Sequence, residues 1–203
     1  MMKSGWYGDD RGFSLVELIV VVLIVAILAT TATISLSIVI NADTEKAAKK
    51  FCTMMSTARA KAMATDGEKS GSDVLHIVFR VFVKDGNNYA GIYKYDEHGN
   101  LKETIEEEKL SNYKVNIIVG PQNSETQPSA MKQLDESDTD RNYAEYRFRK
   151  SSGGIDSVKL GAGAAETDSS STNLKFYTDV IFDGSETFKA IIVPGTGRCY
   201  LEN

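Results

Sequence analysis

An apolar segment near the N-terminus constrains this chain more than any other feature. Residues 18–29 are all apolar, and Glu17 is the only charged residue within residues 13–40. A helix of that length, at ~1.5 Å per residue, is long enough to cross a ~30 Å hydrocarbon core. A carboxylate inside such a segment costs about 3 kcal/mol, so Glu17 is expected to have a functional partner.

The string Gly-Phe-Ser-Leu-Val-Glu-Leu at residues 12–18, followed by the apolar stem, resembles the N-terminus of type IV pilins and type II secretion pseudopilins. The resemblance implies that a prepilin peptidase cleaves between Gly12 and Phe13 and methylates the new amino group of Phe13. It also implies that Glu17 pairs with the Phe13 amine of a neighbouring subunit. Since a buried amine and a buried carboxylate are each costly alone, this pairing would set the register of assembly.

An ordinary secretory signal or plain anchor is the alternative reading of the apolar segment. Residues 29–32, Ala-Thr-Thr-Ala, could serve as a signal cleavage site. Three features favour the pilin-like reading: Gly12 precedes the apolar run, Glu17 lies inside it, and the helical pattern continues past residue 40.

The chain is predicted to have four parts: a cleaved leader (1–12), a transmembrane or filament-core helix (13–40), its amphipathic continuation (41–66) and a β-rich head (67–203). Ala48, Phe51 and Met55 follow helical spacing, and Asp66-Gly67 is a stop signal. From residue 74 the apolar period becomes two, which is typical of strands. Strands are predicted over residues 74–83, 89–95, 101–105, 113–119, 143–149, 174–182, 187–193 and 198–201. The predicted class is α+β, a long N-terminal helix packed on one antiparallel sheet domain, as in pilins.

Composition limits the location and the partners. The chain has 203 residues and a formal net charge of −5, and this acidic balance argues against general nucleic-acid binding. Lys3 and Arg11 precede the stem, so the N-terminus is expected inside a cytoplasmic membrane and the head outside it. The resemblance implies a later place in an extracellular pilus or a periplasmic pseudopilus. The implied partners are other pilin subunits, the prepilin peptidase/N-methyltransferase, the inner-membrane assembly platform and membrane lipid.

Cys52 and Cys199 are the two cysteines of the chain. Cys52 lies beside the apolar stripe of the helix, and Cys199 lies on the last predicted strand. If that strand packs on the helix, a disulfide would stabilise the head by ~4 kcal/mol. Two separate buried thiols remain the alternative.

Sites for chemistry are few. Asp138, Asp140 and Asn142 match the first ligand spacings of a calcium loop, but Tyr143 stands where glycine is needed and Arg149 where the bidentate glutamate belongs. These three are therefore weak candidates, and no metal or cofactor is predicted. The sequence also offers no nucleophile–base pair, so we do not expect an enzyme.

Two shorter strings resemble minor subunits of these systems, namely the H pseudopilin and the FimT-type pilin. They are Ala-Arg-Ala-Lys-Ala at 58–62 and Gly-Thr-Gly-Arg at 195–198. The sequence thus predicts a structural subunit, pilin or minor pilin or pseudopilin, of a type IV pilus or a type II secretion-like filament. The alternative is a membrane-anchored extracytoplasmic module for DNA uptake or adhesion that is not built into a filament.

Overall fold

A long helix opens the chain, and antiparallel sheets follow it. The computed structural model describes residues 14–65, 69–70, 73–121, 131–162, 167–168 and 177–202. Helix α1 spans Leu15–Ala64, so the predicted α+β class with an N-terminal helix is confirmed. The chain divides into two compact units, with the boundary between Val39 and Ile40. Within the described residues, no helix has both the length and the hydropathy expected of a membrane span.

The strands belong to the second unit, and most of them coincide with the period-two segments. The strands are β1 Lys69–Ser70, β2 Asp73–Val74, β3 His76–Lys84, β4 Asn87–Tyr95, β5 Leu101–Lys109, β6 Asn116–Pro121, β7 Lys132–Gln133, β8 Tyr143–Phe148, β9 Ile155–Leu160, β10 Thr167–Asp168, β11 Tyr177–Asp183, β12 Thr187–Val193 and β13 Arg198–Glu202. Strand β9 was not predicted. Its burial breaks strict alternation, because Ser157 and Val158 are both buried.

The head contains separate antiparallel sheets rather than the single sheet that the sequence suggested. One sheet has six strands in the order β10-β9-β8-β3-β4-β5, another has five in the order β13-β12-β11-β6-β7, and β1-β2 form a short pair. Both larger sheets reach the same residue of α1. The Phe51 ring centroid lies 5.2 Å from that of Phe79 in the six-stranded sheet and 5.6 Å from that of Phe182 in the five-stranded sheet. One amphipathic helix therefore organises two sheets.

The core lies between this part of α1 and the inner faces of the two sheets. Ala48, Phe51 and Met55 are fully buried at the helical spacing that the sequence predicted. Alternate residues of β3, Ile77, Phe79 and Val81, face them, and Val180, Phe182, Ala190 and Ile192 close the other side. Burying one large side chain of this kind contributes about 1.5–3 kcal/mol, so the helix and the sheets stabilise each other.

The two larger sheets also meet at a pair of turns. The Ile155 N–H donates to the Pro194 carbonyl oxygen at 2.7 Å. Gly197 has φ +65°, and a Cβ there would overlap the carbonyl oxygen of Gly153. Only glycine meets both demands, because an L side chain disfavours this φ and the turns approach too closely for one.

Candidate assembly stem and processing site

The helix starts immediately after the predicted cleavage site. Ser14 precedes α1, and its carbonyl oxygen accepts the Leu18 N–H at 3.1 Å. Glu17 lies in the first turn and is exposed. A carboxylate at this end of a helix is favoured by the helix dipole. Gly12 and Phe13, the two residues of the predicted cut, lie outside the described residues.

Over residues 18–29, the surface of the stem is apolar on every side. Four consecutive residues, Val20 to Leu23, expose between 47% and 59% of their area, and Leu15 exposes 75%. Successive residues of a helix point about 100° apart, so four consecutive exposed aliphatic residues cover its whole circumference. A helix that is hydrophobic all round is stable in apolar surroundings, whether packed protein or lipid. Glu17 is thus an isolated carboxylate on an apolar surface.

The structure joins the two cysteines. Cys52 of α1 and Cys199 of β13 form a disulfide with a Cα–Cα distance of 5.1 Å across a sequence separation of 147 residues. Both residues pack against the hydrophobic core. Of the two alternatives that the sequence left open, the structure contains the bridge, which ties the C-terminal edge strand to the helix.

The two short strings near residues 60 and 196 lie against each other. The Arg59 Nε–H donates to the Thr196 carbonyl oxygen. The Arg59 side chain also borders Gly153 and Gly197, so it packs at the meeting point of the two sheets. The contact joins the C-terminal part of α1 to the turn between β12 and β13. It does not assign the chain to a subgroup.

Sequence reasoning missed a second polar anchor of the helix, Asp43. Its Oδ2 accepts the N–H of Asn112 at 2.7 Å and that of Tyr113 at 3.1 Å. The loop between β5 and β6 is thereby fixed to α1. The only signal in the sequence was an acidic residue on the predicted helix. In the structure, its neighbour Thr44 is fully buried. Such a signal is ambiguous, because an aspartate on a helix is usually solvated.

The weak calcium candidates lie in the loop before β8, and hydrogen bonds of Glu136 and Asn142 connect this loop to β3 and the turn after it. The Asp138 Oδ1 accepts the Asp140 N–H at 2.9 Å, and its Oδ2 accepts the Arg141 Nε–H at 2.6 Å. These bonds lower the pKa of Asp138, the backbone bond to Asp140 being the largest cause. The carboxylate is thus used to shape the loop. Across the described part of the chain, the structure shows no group of three or more acidic, histidine or cysteine residues that could hold a metal ion.

Comparison with known proteins bears on the N-terminal part. Residues 8–33 match the family model of the prokaryotic N-terminal methylation motif, the hallmark of type IV pilin and pseudopilin precursors. No curated protein matches the chain. No solved structure matches it either. The resemblance seen in the sequence is therefore confirmed at the level of this motif, which is typical of structural rather than catalytic proteins.

Proposed function

We propose that this chain is a structural subunit of a type IV pilus or of a type II secretion-like filament. The observation that carries the proposal is the methylation motif at residues 8–33, which contains Gly12, Phe13 and Glu17. The start of α1 at Leu15 supports it, because cleavage after Gly12 would leave the new amino group within two residues of a helix. The mature chain would then begin at the tip of its own stem.

Assembly would proceed by packing of stems from many subunits. Each stem offers aliphatic area on all sides. Removing that area from water stabilises a bundle, and where lipid is replaced the close packing of side chains does so. In such a bundle the Phe13 amine and the Glu17 carboxylate are both desolvated. Each alone would cost several kcal/mol, so a neighbour's amine beside Glu17 favours one offset between stems over all others. The pair would act mainly on the register of the filament.

The proposed filament role also implies where the subunit is located and which partners it has. Before assembly the subunit would sit in the cytoplasmic membrane with its N-terminus inside and its head outside, having been processed by a prepilin peptidase/N-methyltransferase. An assembly platform in the membrane would pass it into the filament. The Cys52–Cys199 disulfide supports an extracytoplasmic head, since such bonds persist in oxidising compartments.

The N-terminus of the protein purified from its own cell membranes tests the proposal. Intact mass and peptide sequencing are expected to give a chain that begins at N-methylated Phe13. A chain that begins at Met1 would indicate an uncleaved anchor, and one cut near Ala32 an ordinary secreted protein. Either result would contradict the filament role and would favour an anchored or secreted binding module.

A further inference from the structure

Among the residues that the structure describes, the two larger sheets end in four edge strands, and β13 is the most regular of the four. Strands β7 and β10 have only two residues each. Strand β5 carries four glutamates, and its register with β4 shifts at two points. Such charges and bulges protect an edge against pairing with another chain. Strand β13, Arg198–Glu202, has five residues and pairs with β12 without a register shift.

The side of β13 that faces away from β12, its free edge, offers main-chain groups to a further strand. Within the described part of the chain, β12 is the only strand that pairs with β13. Extended segments bind to such edges through main-chain hydrogen bonds. Tyr200 in the middle of the strand exposes 51% of its area, and Arg198 and Glu202 at the two ends are also exposed. These side chains are therefore accessible to a second chain.

The outward side chains of β13 form a self-complementary pattern. Cys199 and Leu201 pack against the core, so residues 198, 200 and 202 lie on the outward face of the sheet, as Arg, Tyr and Glu. In an antiparallel pair of two β13 strands centred on Tyr200, each Arg198 lies directly opposite Glu202 of the other copy. Opposite charges at opposed positions stabilise a strand pair, and like charges destabilise it. A shift by one residue would exchange the two faces, and a shift by two would lose both charge pairs.

The charges at the two ends of β13 are placed for such a pair. Among the described residues, the Arg198 side chain has neither a hydrogen bond nor an ion pair. The Glu202 Oε2 lies 2.8 Å from the Lys189 Nζ of β12, and 48% of the Glu202 side chain is still exposed. An arginine of a second copy would reach Glu202 from the side opposite to Lys189. On the inner face, Leu201 of each copy would lie opposite Cys199 of the other, so the apolar contacts of the core continue across the junction.

We propose that the free edge of β13 binds a second copy of this chain, which adds its own β13 in antiparallel orientation about a two-fold axis at Tyr200. A two-fold axis requires a self-complementary surface, and the Arg, Tyr, Glu pattern meets this requirement. The five-stranded sheets of the two copies then form one continuous sheet. Because a single pair of short strands buries little area, the association is weak and increases with protein concentration.

This pairing goes beyond the proposed function and does not depend on it, because all of its residues belong to the head. The two-fold axis is perpendicular to the sheet, so it also reverses the part of α1 that packs on the sheet in the second copy. Subunits whose stems run in the same direction in one filament do not meet in this way. The pair joins copies from two filaments or copies outside a filament.

The experiment is photochemical oxidation of the full chain in detergent at increasing protein concentration, with a ruthenium complex and persulfate as the oxidant. Each of two neighbouring tyrosines loses one hydrogen atom, and the two rings become joined as dityrosine. Tyrosines that face each other across a strand pair have Cβ atoms roughly 4.5–5.5 Å apart, within reach of coupling. A cross-linked peptide that contains Tyr200 of two copies is expected, with a yield that rises with concentration. Tyr113, which is 41% exposed in the loop before β6, is the comparison and should give no such link.

Charge reversal at Arg198 tests the register of the pair. Arg198→Glu places like charges opposite each other at both ends, so the yield of the Tyr200 link should fall about tenfold at the same concentration. Arg198→Lys keeps the sign of the charge and should keep most of the yield. Both variants should keep the urea midpoint, because the Arg198 side chain has no partner among the described residues. Lys84→Glu, an exposed charge reversal on the six-stranded sheet, is the matched control and should pair as the unchanged chain does.

A mixture of two variants separates pairing from misfolding. Glu202→Arg alone should also lower the yield, whereas an equal mixture with Arg198→Glu should restore it. In that mixture one chain carries two carboxylates at the junction and the other carries two guanidinium groups. A misfolded chain, identified by its urea midpoint, would not be repaired by mixing.

Several results would overturn the proposal. The first is the absence of a link between two copies of Tyr200 in the unchanged chain, or a link at Tyr113 of equal yield. The second is an equal yield from Arg198→Glu and Arg198→Lys, or no recovery in a mixture of folded variants. A link from Tyr200 to a different tyrosine would show that another surface binds the edge and would also overturn the two-fold pairing.

Discussion

The Cys52–Cys199 disulfide gives the sharpest quantitative prediction for the head. The bond closes a loop of 147 residues. In the chain-entropy model, loss of loop-closure entropy in the unfolded state grows with the logarithm of loop length, and for this loop it amounts to about 5 kcal/mol at 25 °C. The chain with reduced cysteines should therefore be less stable by up to that amount. A change of 1 kcal/mol moves the Tm of a domain of this size by roughly 2–4 °C, so the expected fall in Tm is on the order of 10–20 °C.

The assay is urea unfolding of the full chain, followed by tyrosine fluorescence and far-UV circular dichroism. Reduction with dithiothreitol should lower the midpoint by roughly 2 M, given a typical urea slope for a small domain. Cys52→Ser and Cys199→Ser should each lower it about as far. Once either cysteine is replaced, the second replacement and the reductant should change little, because the cross-link is already gone.

The urea midpoints of the single and double cysteine variants distinguish a cross-link from two packed thiols. Both cysteines pack against the core, so each serine also loses some apolar contact. If the cysteines acted only through that packing, dithiothreitol would leave the midpoint of the unchanged chain where it was. The losses of the two single variants would then add in the double variant. Either observation would refute the entropic argument and with it the bridge in the folded protein.

Two further predictions concern single carboxylates. Glu17→Gln should still reach the membrane but fail to enter filaments, as measured by sedimentation of sheared fibres. Glu45→Gln on the same helix, which loses only an exposed pair with Lys49, is the control that should assemble. The hydrogen bond from the Asn100 side chain is the main cause that lowers the pKa of Asp96 in the folded protein. The Asp96 carboxylate therefore stabilises the fold above its unfolded pKa of about 4, and this contribution is lost as pH falls through the lower folded pKa. Asp96→Asn should therefore flatten the decline of the urea midpoint below pH 4, and an unchanged decline would contradict the assignment.

Local patterns in the sequence were enough to predict the helix and most of the longer strands. The spacing of Ala48, Phe51 and Met55 predicted the buried face of α1. The alternation in residues 74–83 predicted β3, which the structure places at His76–Lys84. Both patterns depend on one element and its own burial. The N-terminal motif was equally local, since residues 12–18 carried the resemblance that the family model confirms over residues 8–33.

Relations between distant elements could not be read from the sequence. Two sheets were taken for one, because alternation shows which face of a strand is buried but not which strand lies beside it. The disulfide was left open for the same reason, as it depends on β13 reaching α1 across most of the chain. The contacts of Arg80 with Tyr95 and Tyr143 were missed because the three residues come from three strands. In the sequence each is an ordinary outward residue, and only strand pairing brings them together.

The division between Val39 and Ile40 makes the stem and head hypotheses separable by experiment. Glu17 belongs to the first unit, whereas the disulfide belongs to the second. A Glu17 variant should leave the urea midpoint of the head unchanged, because the residue belongs to the other unit. Cys52→Ser should lower that midpoint and leave the proposed methylation of the N-terminus intact, since the proposed cleavage lies between Gly12 and Phe13. A Glu17 variant that lost assembly together with head stability would indicate general misfolding. Loss of assembly alone would support the register role of that carboxylate.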